Sequence, residues 1–221
     1  MKTLRIALFG ATGKTGIEFI KQSSLLMNTS VTAFVRNVEK LKESLEDLPH
    51  NLRIVQFDVR GNSSWSDELE KCNVWVSLVG ISGLISARKP NSLYAKTAQL
   101  LTERAVKYNP ERVLIVTSGG VVDSESEPWI LKKVLKPFFL NPMYQDMRVM
   151  ENIITKSQMN YAIVRPPYLT NGKLISQYRI IFDDWFTDDK VLSRRDLAHF
   201  LVMQCRELNE KFNRRIVGVS Y

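Results

Sequence analysis

The sequence predicts a doubly wound α/β fold, a mostly parallel sheet covered by helices on both faces, in one domain. Three observations lead there. Short β-rich runs alternate with longer helical patterns from end to end. The strand runs, such as Ile6-Ala7-Leu8-Phe9 and Val74–Val79, are continuously apolar, as strands buried on both faces are. A glycine cluster follows the first run and opens the first helical pattern, at the strand edge where such folds bind ligands.

Taken in order, Leu4–Phe9 reads as a strand and Lys14–Leu26 as a helix. Val31–Val35 is the next strand, followed by a charged helix over Val38–Leu48 and a strand over Leu52–Phe57. Ser64-x-x-Asp67 is a capping signal for a short helix to Glu70, and Val74–Val79 is another buried strand. Tyr94, Ala98, Leu101, Ala105 and Tyr108 recur at helical spacing and make one face. Val113–Val116 and Tyr161–Val164 are further strands. Ser193-x-x-Asp196 caps a helix whose Leu197, Leu201, Cys205 and Leu208 share a face, and Ile216–Val219 closes the pattern. Right-handed crossovers between these strands place Gly10, Arg36, Asp58, Gly80, Ser118 and Pro166 together at the carboxyl edge of the sheet. No repeat, linker or second domain is visible in residues 1–221; residues 119–148 are the one long insertion between strands.

Composition bounds the partners. Lysine and arginine number 31 against 23 acids, a net charge of +8, which favours anionic partners such as phosphates, nucleotides or acidic substrates. No helix-turn-helix or RNA-recognition signature is present, so nucleic acid is not expected. Ten glycines and eight prolines exclude collagen-like or low-complexity character. Cys72 and Cys205 form no C-x-x-C pair, and two histidines are too few for most metal sites, so no metal is expected. No stretch approaches the ~18 apolar residues of a membrane span, and the first apolar run is too short for a signal peptide. The expectation is a protein of the reducing cytoplasm, with its two glycosylation-like triplets present by chance.

The loop Gly10-Ala11-Thr12-Gly13-Lys14-Thr15-Gly16 has its glycines at +3 and +3. Glycine there permits a tight turn and close approach of backbone to a pyrophosphate, and the helix start adds free N–H groups and partial positive charge. Gly13-Lys14-Thr15 looks like the end of a P-loop, but that motif needs glycine five positions earlier, where Leu8 stands. A site for NAD usually places an acid about 20 residues past the loop to hold the ribose 2′-hydroxyl. Here that position is Arg36, with no acid before Glu39. A guanidinium there suits a 2′-phosphate, with Lys14 and Lys40 adding charge.

These segments, together with Phe57-Asp58-Val59, Val116-Thr117-Ser118, Val164-Arg165-Pro166-Pro167 and Leu192-Ser193-Arg194-Arg195-Asp196-Leu197-Ala198, come in the order of a known group. Over nearly its whole length the chain resembles the NmrA-like atypical short-chain dehydrogenases, NAD(P)-binding proteins of Rossmann fold, and within them the flavin reductase or biliverdin reductase B type. The resemblance implies NADP(H) as cofactor. It implies that Gly10, Thr12, Gly13, Lys14, Thr15 and Gly16 line the pyrophosphate and that Arg36 takes the 2′-phosphate. It places Asp58 and Val59 at the adenine edge, and Leu78, Val79 and Gly80 under the adenosine ribose. Ser118 would sit near the nicotinamide, with Pro166, Pro167 and Tyr168 offering backbone to its carboxamide. Ser193 and Asp196 read as helix-cap residues outside the site.

The chain departs from the group in two places. Ordinary short-chain dehydrogenases use Tyr-x-x-x-Lys, in which lysine lowers the tyrosine pKa for proton transfer. The nearest spacing here is Tyr144-x-x-x-Arg148, and counting back from Tyr161 puts the lysine position on Met147. The biliverdin reductase pattern has histidine after its two prolines; this chain has Tyr168. The segment Trp129–Leu140 is apolar and basic. It reads as a wall or lid for a flat anionic ring, as a cover for the core, or as a membrane-surface element.

The sequence therefore supports an NADPH-dependent reductase acting on a flat small-molecule acceptor such as a flavin, quinone or bilin, with Ser118 and Tyr168 as candidate catalytic residues. The alternative is an NADP(H)-responsive regulator of the NmrA type, favoured by the missing Tyr-x-x-x-Lys. A sugar-nucleotide epimerase is disfavoured, since that class carries a sizeable C-terminal substrate domain.

Overall fold

Alternate residues of the first strand go to opposite faces of the sheet, and both faces are dry. In the computed structural model, which describes residues 3–59, 66–81, 83, 87, 92–122, 140–184 and 191–221, Ile6 and Leu8 join one core cluster while Ala7 and Phe9 join another. This two-sided burial is why the strands read as unbroken apolar runs. The first strand, β1 (Leu4–Phe9), pairs in parallel with β2 (Thr29–Val35) on one side and β4 (Val74–Ser77) on the other. Outward from β2 lies β3 (Leu52–Gln56); outward from β4 lie β5 (Arg112–Val116), β6 (Tyr161–Arg165), β10 (Arg215–Ser220) and β8 (Arg179–Phe182). The eight-stranded order is β3-β2-β1-β4-β5-β6-β10-β8, and only the β10–β8 pair is antiparallel. β7 (Tyr168–Thr170) and β9 (Val191–Ser193) make a separate two-stranded ladder. Strand order switches direction between β1 and β4, which opens a crevice at their carboxyl ends.

Six α-helices are described. On one face, α1 (Lys14–Ser23) packs against α6 (Arg194–Glu207), with Phe19, Ile20, Leu197, Leu201 and Cys205 meeting the sheet. On the other, α4 (Leu93–Tyr108) packs against α5 (Asn141–Lys156), with Ala98, Leu101, Met150 and Ile154 covering Trp75, Val113 and Ile163. The short α2 (Val38–Glu43) and α3 (Ser66–Glu70) complete the set. Phe9 stacks on Phe34 at 4.9 Å between centroids, and Phe57 meets both edge-on.

Two predicted helices end early. α1 stops at Ser23 rather than Leu26, because Ser23 and Ser24 hydroxyls take the Ile20 and Lys21 carbonyls and Asn28 turns the chain at φ 54° into β2. α2 stops at Glu43 rather than Leu48, where the Ser44 hydroxyl donates to the Lys40 carbonyl at 2.7 Å. The Ser193 cap forms as its spacing predicts, its oxygen accepting from the Asp196 N–H at 2.9 Å. The last eight residues of the expected insertion, 141–148, are the first half of α5 and part of the core frame. Most of Trp129–Leu140, and Ser64 of the expected capping pair, lie outside the described residues. No helix is long and apolar enough to cross a membrane, and no group of three metal-ligating side chains converges, among the described residues.

Candidate functional site

β1 ends in a turn that only glycine can make. Gly10 has φ +79°, and a Cβ there would overlap the Leu78 carbonyl, so the glycine loop lies directly against the chain leaving β4. A Cβ on Gly16 would sit 2.7 Å from Ala11 Cα, so that glycine seats α1 on its own loop. Gly13 caps α1 with extended backbone and no side-chain hydrogen bond, and the first turn holds no acid. Among the described residues, the Lys14, Thr15 and Gly16 N–H groups have no acceptor. The helix start is thus an uncapped array of donors facing the crevice. It fits a pyrophosphate, which would be held by the N–H groups of residues 14–16 and the Lys14 side chain.

The crevice is a cleft of about 500 Å³. Its lining includes Gly10, Gly13, Lys14, Thr15 and Gly16 from the glycine loop, and Leu78, Val79, Gly80 and Ile81 from the chain leaving β4. Val116, Thr117 and Met147 line it as well, as do Leu169, Arg194 and Leu197. A smaller cavity of about 320 Å³ lies behind the loop, lined by Thr12, Lys14, Asn171, Arg194 and Arg195 among others.

Eight of the catalytic and cofactor-binding residues expected from the sequence thus line the cleft, and Thr12 lines its neighbour. The others lie outside both linings. Arg36 is exposed just past β2, and Asp58 and Val59 follow β3, one strand further along the same edge. Phe57 N–H donates to the Val35 carbonyl at 2.8 Å, which keeps those two strand ends side by side. Ser118 opens a single 3-10 turn, Gly119–Val121, and its hydroxyl oxygen accepts from the Gly120 N–H at 3.3 Å. The Gly119 N–H donates to the Pro166 carbonyl at 2.9 Å, so the Ser118 and Pro166-Pro167 turns are tied together. Tyr168 begins β7 and is 78% exposed.

Beneath those turns lies a buried charge pair. Thr117 Oγ1 donates to Glu151 Oε1 at 2.7 Å, and Arg165 Nε and Nη2 grip the same carboxylate at 3.1 and 2.5 Å. Tyr144 and Arg148 serve the 3-10 turn above it. The Tyr144 ring end packs where a Gly120 side chain would be, and Arg148 Nε donates to the Val121 carbonyl at 2.9 Å. Both residues of the Tyr-x-x-x-Arg spacing thus support that turn, and Met147, the position reached by counting back from Tyr161, lines the cleft.

Tyr94 is a cleft residue that periodicity alone assigned to the core. Its hydroxyl accepts from the Ile81 N–H at 3.2 Å. Asp146 fixes the start of α4 by accepting from the Tyr94 and Ala95 N–H groups at 2.9 and 3.1 Å. Burial, together with the Asp146 charge, pushes the Tyr94 phenol up to about 12, so it stays protonated at neutral pH. Thr117, Leu169, Arg194 and Leu197 also escaped sequence reasoning as cleft residues. Arg194 had a signal, its place in Leu192-Ser193-Arg194-Arg195-Asp196, but that segment read as a cap.

Comparisons with known proteins agree with this fold. The chain is 23% identical over 224 residues to the oxidoreductase ptaF of Pestalotiopsis fici, covering 97% of this chain and 84% of that one. A short-chain dehydrogenase/reductase from Veillonella parvula, solved in complex with NADP, superposes with a TM-score of 0.78 at 18% identity, covering 99% of this chain and 94% of that one. The anaerobillin reductase ChuY from Escherichia coli O157:H7 superposes with a TM-score of 0.73 at 17% identity, covering 98% and 96%. Both share the single α/β domain. The model of the NAD(P)H-binding family matches residues 10–207, nearly the whole length, and the chain belongs to that family.

Proposed function

We propose that the chain is an NADPH-dependent reductase whose acceptor is a flat redox-active small molecule such as a flavin, quinone or bilin. The observation that carries the reading is the uncapped start of α1 on the cleft wall, with Arg36 where an acid would hold a free ribose hydroxyl. The cofactor, when bound, supplies the hydride; the protein supplies orientation and electrostatics. In this reading Gly10–Gly16 hold the pyrophosphate and Arg36 holds the 2′-phosphate. Asp58 and Val59 flank the adenine, and Leu78–Gly80 support its ribose. Ser118 and the backbone of Pro166-Pro167 orient the nicotinamide end, and Tyr168 shapes the mouth of the pocket. Tyr94, which lines the cleft and keeps its phenolic proton, is a candidate proton donor to a reduced acceptor, with solvent as the other source. Ring acceptors carry their own redox chemistry and need little acid catalysis, which suits a cleft without Tyr-x-x-x-Lys. The resemblance to ptaF, an oxidoreductase, and to ChuY, an anaerobillin reductase, supports the same class.

A second reading is an NADP(H)-responsive regulator with little turnover. Met147 favours it, since a thioether faces the cleft where a proton-relaying lysine would stand. The test is oxidation of NADPH by purified protein against FMN, riboflavin, quinones and bilins. The reductase reading expects turnover well above background with at least one acceptor. Tight NADP(H) binding with no turnover across the panel would favour the regulator.

A further inference from the structure

The cleft and the smaller cavity behind the glycine loop share two lining residues, and both are cations: Lys14 and Arg194. They come from different helices, Lys14 from the first turn of α1 and Arg194 from the start of α6. Two cations lining one crevice repel unless an anion lies between them, and Glu18, which lines the smaller cavity with them, is engaged by Arg195. Arg194 is half-buried and held in place: its Nη1 donates to Asn171 Oδ1 at 2.8 Å. That partner is a neutral amide, which fixes the guanidinium without neutralising it. Its neighbour Arg195 differs, since it reaches Glu18 at 3.4 Å. Among the described residues, Arg194 has no carboxylate within ion-pair distance. Its backbone position is fixed by the Ser193 cap, whose hydroxyl also donates to Asp196 Oδ2 at 2.6 Å.

We propose that Arg194 is a second phosphate-binding residue, which meets the cofactor's pyrophosphate from the start of α6, the helix packed beside the one that the glycine loop opens. This rests on the NAD(P)H reading above. Arg36 and Arg194 then divide the anion between them: Arg36 recognises the 2′-phosphate and Arg194 the pyrophosphate common to both dinucleotides. The planar fork leaves donors free for a phosphate oxygen while one N–H stays with Asn171.

The division is tested by calorimetric titration of NADP⁺, NAD⁺, ADP-ribose and 2′-AMP into the wild type, Arg194→Gln and Arg36→Ala. Arg194→Gln is expected to weaken NADP⁺, NAD⁺ and ADP-ribose alike, by about tenfold to a hundredfold, and to leave 2′-AMP unchanged. Arg36→Ala is expected to do the converse, weakening NADP⁺ and 2′-AMP while sparing NAD⁺ and ADP-ribose. Unchanged binding of all four ligands to Arg194→Gln overturns the proposal. So does a loss confined to NADP⁺ and NAD⁺ that spares ADP-ribose, since that places Arg194 at the nicotinamide. A wild type that binds none of the four overturns the cofactor reading itself, a different outcome. Should Arg194→Gln not fold, Arg194→Lys, which keeps the charge without the fork, and Asn171→Ala, which frees the guanidinium, carry the test. Each is expected to weaken ADP-ribose, and unchanged binding by both overturns the proposal.

Discussion

Thr117 Oγ1 lies 2.7 Å from Glu151 Oε1, and through it the lining of the cleft is fastened to a buried ion pair. Glu151 comes from α5, Thr117 follows β5 and Arg165 ends β6, so one carboxylate joins three elements under the Ser118 and Pro166 turns. The side chains of Arg165 and Glu151 are only 12% and 8% exposed. Removing one partner leaves the other charge buried, a loss of about 3–5 kcal/mol. Glu151→Ala is therefore expected to lower unfolding free energy by about that much in urea titration. Glu151→Gln, which keeps an acceptor for Thr117, is expected to lose less. Equal stability of Glu151→Ala and wild type would contradict the fastening.

The loop glycines separate by what surrounds them. A Cβ on Gly10 or Gly16 meets backbone, so bulk at either is expected to damage the fold. A Cβ on Gly13 meets only the Gly10 carbonyl, at 3.3 Å, and the residue is exposed. Gly13→Val is therefore expected to fold, with a melting temperature near wild type, and to lose NADPH affinity steeply as its branched side chain fills the phosphate approach. Normal NADPH binding by a folded Gly13→Val would contradict the loop's assigned role.

How much of this the sequence disclosed follows from the range of the interactions. The glycine loop, the Ser193 cap and the faces of α4 and α6 are local patterns, and each appears where its spacing places it. α5 carries Tyr144, Met147, Met150 and Ile154 on one face, but the buried Glu151 interrupts that stripe and the expected insertion ran across the helix start. Glu151 is buried because Arg165 lies beside it, 14 residues away, and no single-helix pattern signals such a partner. Tyr94 and Arg194 reach the cleft only because the switch between β1 and β4 brings distant segments together. The spacings that place α4 and α6 name their core faces, not which end of a side chain meets a ligand.

Acid sensitivity is expected to centre on Asp196. Burial alone would raise its pKa, but its carboxylate accepts from the hydroxyls of Ser193 and Tyr221 and the N–H groups of Ser176 and Ile175. The net effect holds it below the usual carboxylate value of 3.8. A carboxyl depressed by folding stabilises fully above its unfolded pKa, and that stability is lost as pH falls through the folded one. Wild-type stability is thus expected to decline as pH drops below about 4, and Asp196→Asn to flatten that decline while lowering stability at neutral pH. Denaturation curves across pH 2–7 check it; parallel profiles for the two proteins would contradict it.

The nicotinamide end is probed by two hydroxyls. If Ser118 donates to the acceptor or to the nicotinamide, Ser118→Ala lowers the rate of NADPH oxidation by about 10–100-fold, a loss of about 1.4–2.7 kcal/mol in the transition state. Tyr94→Phe removes the buried phenolic proton and keeps the ring. A large loss of rate assigns that proton to catalysis, and an unchanged rate assigns proton delivery to solvent. The readout is steady-state absorbance with the best acceptor of the panel.

The central claim is that this cleft is built for a dinucleotide carrying a 2′-phosphate. The direct measurement is calorimetric titration of NADPH and NADH into the wild type and Arg36→Ala. One charge-assisted contact, about 1.5–3 kcal/mol, is expected to separate the two cofactors in the wild type and to vanish in the variant, with NADH affinity nearly unchanged. Equal affinity of the wild type for NADPH and NADH would contradict it.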